Sequence, residues 1–430
     1  MRRTTLWAAV GPMVGAVLMP PGHALATTQD GRRPLLTAAS VNLAGRPAGY
    51  EWGLPSVSDD GNRVAFISSA ARMVRGVPGG CPQVYVRDRA RSVTLLASGT
   101  EDGTPASGGC NTGQNLYGRT PISDDGRLVA FLSDAASLVR RGNAWAYVFV
   151  KHLDTGRLER IVLPREPSRP SNERRDALAL AVSKDFRYLA VTVRLGPNGP
   201  NDVGYLYDRA TGRWSNICRP GVWTCIVYAV SPAGRYTAYL FEPRVLMPNS
   251  RRVAYVFDRV TGQSRRIDGT PTADSFDPGL MSFSDDGRTL VVEWGGYGDS
   301  AFASSRATIH AVPSLRQVEH ITFPGMGGVS GTDRTGRRLA ISASRTGQLG
   351  FDQPTDAYLY DRATGRKTII SVTPDGRPGN GYSVPGDMTP DARTIVMYSS
   401  ADNLVRGDQS ADETAGTDAL VATFAARSTP

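Results

Sequence analysis

One short block recurs along this chain, and no other feature restricts its fold as strongly. It reads SDDGNRVAF at Ser58, SDDGRLVAF at Ser123, SKDFRYLAV at Ser183, SPAGRYTAY at Ser231 and SDDGRTLVV at Ser284, with weaker copies DRTGRRLAI at Asp333 and TPDARTIVM at Thr389. The glycine-equivalent positions, 61, 126, 186, 234, 287, 336 and 392, lie 48 to 65 residues apart. Helical arrays have shorter and stricter periods, whereas a unit of about 40 to 50 residues lengthened by insertions belongs to small sheets set around an axis.

Each block reads as a tight turn feeding a strand. Asp and Gly supply turn geometry, and the alternating β-branched and aromatic residues that follow fit a pleated surface. Asp60 and Gly61 are therefore read as structural. A hairpin block follows: VYVRDRARS from Val84, YVFVKHLDTGRLERI from Tyr147, YLYDRATGRW from Tyr205, YVFDRVTGQSRRI from Tyr255, IHAVPSLRQVEHI from Ile309 and YLYDRATGRKTIISV from Tyr358. Together the blocks give four strands per repeat. A lone four-stranded sheet would expose both faces, so the sheets must stack radially to bury their apolar alternation. The expectation is an all-β, seven-bladed β-propeller of four-stranded antiparallel blades. The stretch LLTAASVNLAGRPAG from Leu35 matches the fourth-strand stretch TIISVTPDGRPGNG from Thr368, while the last repeat ends at ALVATFA from Ala419 without a fourth strand. The N-terminal strand is expected to fill that place in the last blade, joining residues 35–41 to 419–425 and closing the open edge.

Composition enters in support. With 47 Gly and 29 Pro in 430 residues, turns and short strands are favoured over long helices. Of the 49 basic residues only Lys151, Lys184 and Lys367 are lysines, and the formal charge is +9. The basic residues are dispersed and often sit beside acids, as in Arg87, Asp88 and Arg89, so most are read as solvated turn charges and nucleic acid is not an expected partner.

Residues 1–26 read as a signal peptide: Arg2 and Arg3, an apolar stretch from Leu6 to Met19, a Pro20-Pro21-Gly22 break and the small-residue site Ala24-Leu25-Ala26. Export is the expectation, leaving residues 27–430 as a single propeller domain with repeats over about 35–426 and no membrane span in the mature chain. An oxidising exterior lets cysteines pair. Three pairings are formally possible. The simplest joins Cys218 to Cys225 around the turn pair Pro220-Gly221, and Cys81 then pairs with Cys110. Zinc is the weaker reading, because neither paired CxxC spacing nor nearby His appears.

The SDDGR-like turns paired with YDRATGR-like hairpins resemble the WD40-like β-propeller repeats of the TolB-like family, in a secreted bacterial form, over about residues 35–426. Loop copies SSAARMVRG at Ser68, SDAASLVRRG at Ser133 and SSADNLVRGD at Ser399 add kinship between blades one, two and seven. Phe186 replaces the turn Gly in blade three, and the hairpin Asp is lost in blade six, so both blades are expected to be less regular. Manganese-dependent uronate lyases of this resemblance hold metal largely through histidines. Only His152, His310 and His320 remain after the leader, on or beside predicted strands, which argues against that activity.

A propeller places the SDDG and DRATG turns on one face and the remaining connections on the other. The second face carries the long, variable loops, 72–82, 99–120, 164–175, 196–202, 218–225, 295–306 and 345–355, and both expected disulfides. Trp52, Tyr117, Trp223, Tyr297 and Phe302 lie in or next to such loops as a candidate contact patch, and Trp145 is explained equally by packing between blades. Asp402, Asp408, Asp412, Glu413 and Asp418 crowd one loop of the last blade, where hard oxygen ligands suit calcium, against a default reading as solvated acids. No GxSxG, HExxH or P-loop is present, so no catalytic residue is assigned. The expected protein is a secreted monomer without chemistry of its own that binds a protein, peptide or cell-envelope polymer through the variable face. The alternative is a propeller enzyme of lyase, lactonase or hydrolase type with its site at the channel mouth.

Overall fold

The SDDG block folds as one repeated turn, held by its own side chains. The Ser58 hydroxyl donates to Asp60 Oδ1 at 2.6 Å and accepts the Arg63 N–H at 3.0 Å, while the Gly61 N–H bonds the Ser58 carbonyl at 2.8 Å. The same serine or threonine pattern recurs at Ser123, Ser183, Ser284 and Thr389. Its fourth residue lies in the left-handed region, with φ 73° at Gly61 and 70° at Gly126, but also 58° at Phe186 and 56° at Ala392. A non-glycine residue there costs about 1–2 kcal/mol. Phe186 offsets it by burying its ring completely in an apolar cluster, a gain of about 1.5–3 kcal/mol. The third sheet is accordingly regular, against expectation, and its first two strands run eight residues each.

The computed structural model describes residues 33–49, 53–113, 119–139, 146–165, 174–196, 202–218, 224–242, 252–267, 276–296, 304–324, 327–345, 355–408 and 416–425, and the backbone of 16–18. Among these the chain is all-β apart from one short 3-10 turn, and its strands pair mostly as consecutive antiparallel hairpins, with one parallel pair, Asp202 with Thr224, linking two neighbouring groups of strands. In chain order the sheets hold Ser56–Val57, Arg63–Ser68, Gln83–Asp88 and Val93–Leu96; then Leu128–Ser133, Tyr147–His152 and Leu158–Ile161, with Ile122 bridging Val129 as the inner position. The third holds Arg175–Val182, Tyr188–Leu195, Asp202–Asp208 and Arg213–Asn216, and the fourth Thr224–Val230, Tyr236–Glu242, Val253–Asp258 and Gln263–Arg266. The fifth holds Phe276–Phe283, Thr289–Gly296, Ser304–Ala311 and Arg316–Pro324, and the sixth Gly327–Thr332, Arg338–Ser344, Thr355–Asp361 and Arg366–Ile369. The last combines Ser383–Met388, Thr394–Ser399 and Asp418–Thr423 with Leu35–Ala38, in the register Leu35 to Thr423 through Ala38 to Leu420. The backbone of Ala16–Leu18, inside the expected leader, pairs in parallel with Arg316–Pro324.

The missing hairpin Asp belongs to the fifth sheet, not the sixth. Ala311 stands there, with Leu315 at φ 58° completing the turn, and the sixth keeps Asp361. Elsewhere the hairpin and turn blocks are bonded to each other, which explains why they recur together. The arginine after the turn grips the hairpin Asp in Arg187–Asp208, Arg235–Asp258 and Arg337–Asp361. The arginine of the DR pair donates to the turn carbonyl, Arg89 to Gly61, Arg209 to Phe186, Arg259 to Gly234 and Arg362 to Gly336. Arg209 also reaches Glu159 on the preceding sheet and Arg362 reaches Glu319. These arginines are part of the frame, so the reading of the basic residues as mostly solvated does not hold for them.

Apolar clusters fill the spaces between neighbouring sheets and not the interior of any single one. Val148 and Val150 pack with Leu189 and Val191, Ile309 with Ile341, and Leu359 with Met397. One cluster joins Val57, Val64 and Phe66 of the first sheet to Val396 and Val421 of the last.

Candidate site in the central channel

The inner strands line a central cavity of about 160 Å³, whose wall includes Val57, Ile122, Leu180, Tyr228, Phe283 and Met388. At the turn end, the second residue of the first five blocks faces inward, and Asp59, Asp124, Lys184, Pro232 and Asp285 line the cavity. Backbone bonds link neighbouring blocks at this residue: Asp59 N–H to Asp124 carbonyl at 2.9 Å, Asp124 N–H to Lys184 carbonyl at 3.2 Å and Arg334 N–H to Pro390 carbonyl at 2.9 Å. First and third residues are thus spent on the turn, and the second is left to the channel.

Lys184 spans that end, with its Nζ 2.5 Å from Asp59 Oδ1 and 2.7 Å from Asp285 Oδ2. Burial by itself would lower the ammonium, but Asp285 and Asp59 outweigh it and raise it. Burial raises Asp285 above the usual carboxylate range, and Lys184 offsets only part of that. Deeper in the channel, Arg119 donates to Asp387 Oδ1 at 3.0 Å and to the Ser282 hydroxyl at 3.3 Å, while Asp387 Oδ2 accepts the Val57 N–H at 3.4 Å. Four sheets therefore meet through one guanidinium and its partners.

Glu293 stands on the second strand of the fifth sheet beside the bulge between Pro278 and Met281. Its carboxyl fills space left by two glycines: a Cβ on Gly328 would come within 2.5 Å of Oε1, and one on Gly279 within 3.5 Å of the carboxyl carbon. The residue is half-buried, and desolvation pushes its carboxyl up to about 7 despite a hydrogen bond from the Leu280 backbone. Leu280 itself lines the cavity. A carboxyl poised near neutrality beside a cavity is suited to give and take protons.

The histidines do not enter this site. His310 is buried, with Nδ1 3.1 Å from the Leu315 carbonyl and Nε2 2.8 Å from the Thr308 hydroxyl. His152 lies beside Glu159 at the end of a third strand, and His320 is on an outer strand. Among the described residues no group of three His, Cys, Asp or Glu side chains could hold a metal ion, so these residues do not fit a manganese centre.

The other expected positions fall as follows. Cys81 is bonded to Cys110 and Cys218 to Cys225, so no free cysteine is left. Trp52, Tyr117, Trp145, Trp223, Tyr297, Phe302 and Asp412 lie outside the described residues. Asp402 is exposed and accepts from Asn380, whereas Asp408 and Asp418 are buried and brought together. The channel residues escaped the sequence reading, although one signal was present. Within a block whose first position is Ser in five of seven copies and whose third is Asp in five, the second changes from Asp to Lys, Pro or Arg.

No protein-family model matches the sequence, and no curated protein does. Among solved structures, the chain is similar to an oligogalacturonate lyase in complex with manganese, at 12% identity over 92% of this chain and 97% of that one, with a TM-score of 0.57. It is also similar to the oligogalacturonate lyase from Vibrio parahaemolyticus, at 11% identity over 91% of this chain and 97% of that one, with a TM-score of 0.55. No described helix is long and apolar enough to cross a membrane. With its four-stranded antiparallel sheets and inner strands around a channel, this chain has the β-propeller fold, and the likeness to these lyases is one of fold alone.

Proposed function

We propose that this protein is an exported, single-domain propeller of seven sheets closed by its N-terminal strand, and that it works in the central channel as a metal-free acid–base enzyme on a carboxylate-bearing sugar. The pairing of Leu35–Ala38 with Asp418–Thr423 and the cluster joining the first sheet to the last support closure. The two disulfides are compatible with an extracellular protein. The observation that carries the chemistry is an arrangement: the Glu293 carboxyl is bonded to the backbone of Leu280, which lines the cavity as Arg119 does, and burial raises that carboxyl to about 7. Leu280 lies two residues along the inner strand from Ser282, which holds Arg119. Two residues of strand separate these footholds by roughly 7 Å. In this arrangement Arg119 steadies the carboxylate of the sugar, and Glu293 takes the proton from the adjacent carbon. The electron pair left behind forms a carbon–carbon double bond as the neighbouring carbon–oxygen bond breaks, and the departing oxygen takes up a proton from water. The two lyases of the same fold favour this eliminative reaction over hydrolysis.

The test is the formation of unsaturated product from uronate oligomers by the mature protein, with chelator present. Turnover is expected, and Glu293→Gln should lower it by about 10²–10⁴-fold. Absence of product from the unaltered protein at acid, neutral and alkaline pH overturns the proposal. A second reading, binding of a protein, peptide or cell-envelope polymer at the loop face by a monomer, is favoured by one observation, the fastening of loops there through Cys81–Cys110 and Cys218–Cys225. Binding of that kind would survive Glu293→Gln unchanged.

A further inference from the structure

The same polar contact recurs where the fourth strand meets the start of the third. Ser98 donates to Gln83 Oε1 at 2.6 Å, Ser371 to Asp356 Oδ1 at 3.2 Å and Ser40 to Asp418 Oδ1 at 3.0 Å. Each serine also accepts the next backbone N–H, from Val84, Ala357 and Ala419. What faces the contacted side chain differs. Gln83 is neutral, and its amide N–H bonds the Ala106 carbonyl at 2.9 Å. Asp356 is gripped by Arg345 through two bonds of 2.9 and 2.7 Å. Against Asp418 the chain sets another acid, Asp408.

Both carboxyls are buried, each at 6% exposure, and they meet within hydrogen-bonding reach, with the charge of Asp402 nearby. Asp408 Oδ2 is fully enclosed and has no hydrogen-bond partner. A buried carboxylate oxygen without a donor is costly, and a second acid beside it adds to the cost. The enclosed Asp408 oxygen is the one left without a donor, and a bound cation would satisfy it.

We propose that Asp408 and Asp418 bind a calcium ion that fastens the N-terminal segment to the last sheet. Asp408 Oδ2 is a direct ligand, Asp418 bridges the ion to Ser40, and carbonyl groups and water complete the oxygen shell. Calcium suits this place better than magnesium, because it accepts irregular oxygen sets whereas magnesium demands near-ideal octahedral geometry and keeps its waters. The inference rests on the observed pairing of Leu35–Ala38 with Asp418–Thr423 and is independent of the channel chemistry.

The experiment follows thermal unfolding of the mature chain in chelator and in rising calcium chloride. A rise of several degrees is expected, saturating near about 10⁻³ M as for extracellular sites, with little response to magnesium. Asp408→Asn should abolish the response and leave the chelated protein no less stable, since it removes a charge from a buried pair. Asp375→Asn, outside the site, should respond fully. Hydrogen exchange of the unaltered protein gives a second reading, with calcium slowing exchange across 35–40 and 418–423 specifically. A melting temperature indifferent to calcium, a full response from Asp408→Asn, or exchange slowed only elsewhere overturns the site. Stabilisation by mild acid without a calcium response overturns it as well, in favour of a proton shared by the two acids.

Discussion

The two ends of the propeller are held by different means. At the turn end the same bonds appear sheet after sheet: the block serine to its aspartate, the following arginine to the hairpin aspartate, the DR arginine to the turn carbonyl. At the loop end a serine contact repeats in only three sheets, and the links beyond it are few and mixed: the disulfides Cys81–Cys110 and Cys218–Cys225, the ion pairs Arg194–Asp202 and Arg345–Asp356, and the acid pair Asp408–Asp418. A repeated contact is one small share of a large sum, so losing one copy leaves the others in place. An unrepeated link has no copy, and its loss falls on one loop alone.

That contrast can be broken by measuring both ends. The largest effect should come from replacing Cys81 and Cys110 together by serine, which frees a loop of 29-residue separation and should lower stability by about 3.5 kcal/mol in denaturant titration. Replacing Cys218 and Cys225, seven residues apart, should cost about 2.5 kcal/mol. Losses under about 1 kcal/mol for both would erase the distinction.

Next comes Glu293, which sharpens the same contrast through pH. Its folded value, about 7, lies above the ordinary 4.5. Between those values the folded state keeps the proton that the unfolded state has released, so stability falls as pH rises and levels off above 7. The fall should amount to about 3 kcal/mol, and Glu293→Gln should flatten it in melts at stepped pH.

At the turn end the effects should be smaller. Ser123→Ala removes the bonds to Asp125 and to the Leu128 N–H and should cost about 1 kcal/mol; a loss as large as that of the Cys81 bridge would mean that the turns do not share their load. The smallest change is expected from Arg187→Ala. The Arg187 hydrogen bond holds Asp208 below the usual carboxylate range, so its contribution is present at neutral pH and fades as acid protonates Asp208. The variant should therefore match the unaltered protein in acid and fall only slightly below it at neutral pH.

The frame was legible because its chemistry is local. Ser58, Asp60 and Gly61 lie within four residues, and their bonds follow from types and spacing that the other blocks repeat. The match of Leu35–Ala38 to a fourth strand was legible for the same reason, since Ser40 makes the contact that Ser98 and Ser371 make in their own sheets. Local reading failed at Phe186, where a missing glycine suggested irregularity, because the burial that stabilises the turn comes from a neighbouring sheet. It failed for Glu293 too, an isolated acid in TLVVEWGG with no motif around it.

Period, turn chemistry, strand alternation and the pairing of cysteines were fixed by order along the chain, because each depends on neighbours in sequence or on a short list of candidates. Only the assembled sheets decided that Lys184 would meet Asp59, 125 residues away, and Asp285 from another side, that Gly279 and Gly328 would make room for the Glu293 carboxyl, and that Asp408 would face Asp418. The reason is physical: a channel has no sequence neighbours. Its wall takes a few residues from each sheet, and their mutual distances exist only once the sheets have packed on one another.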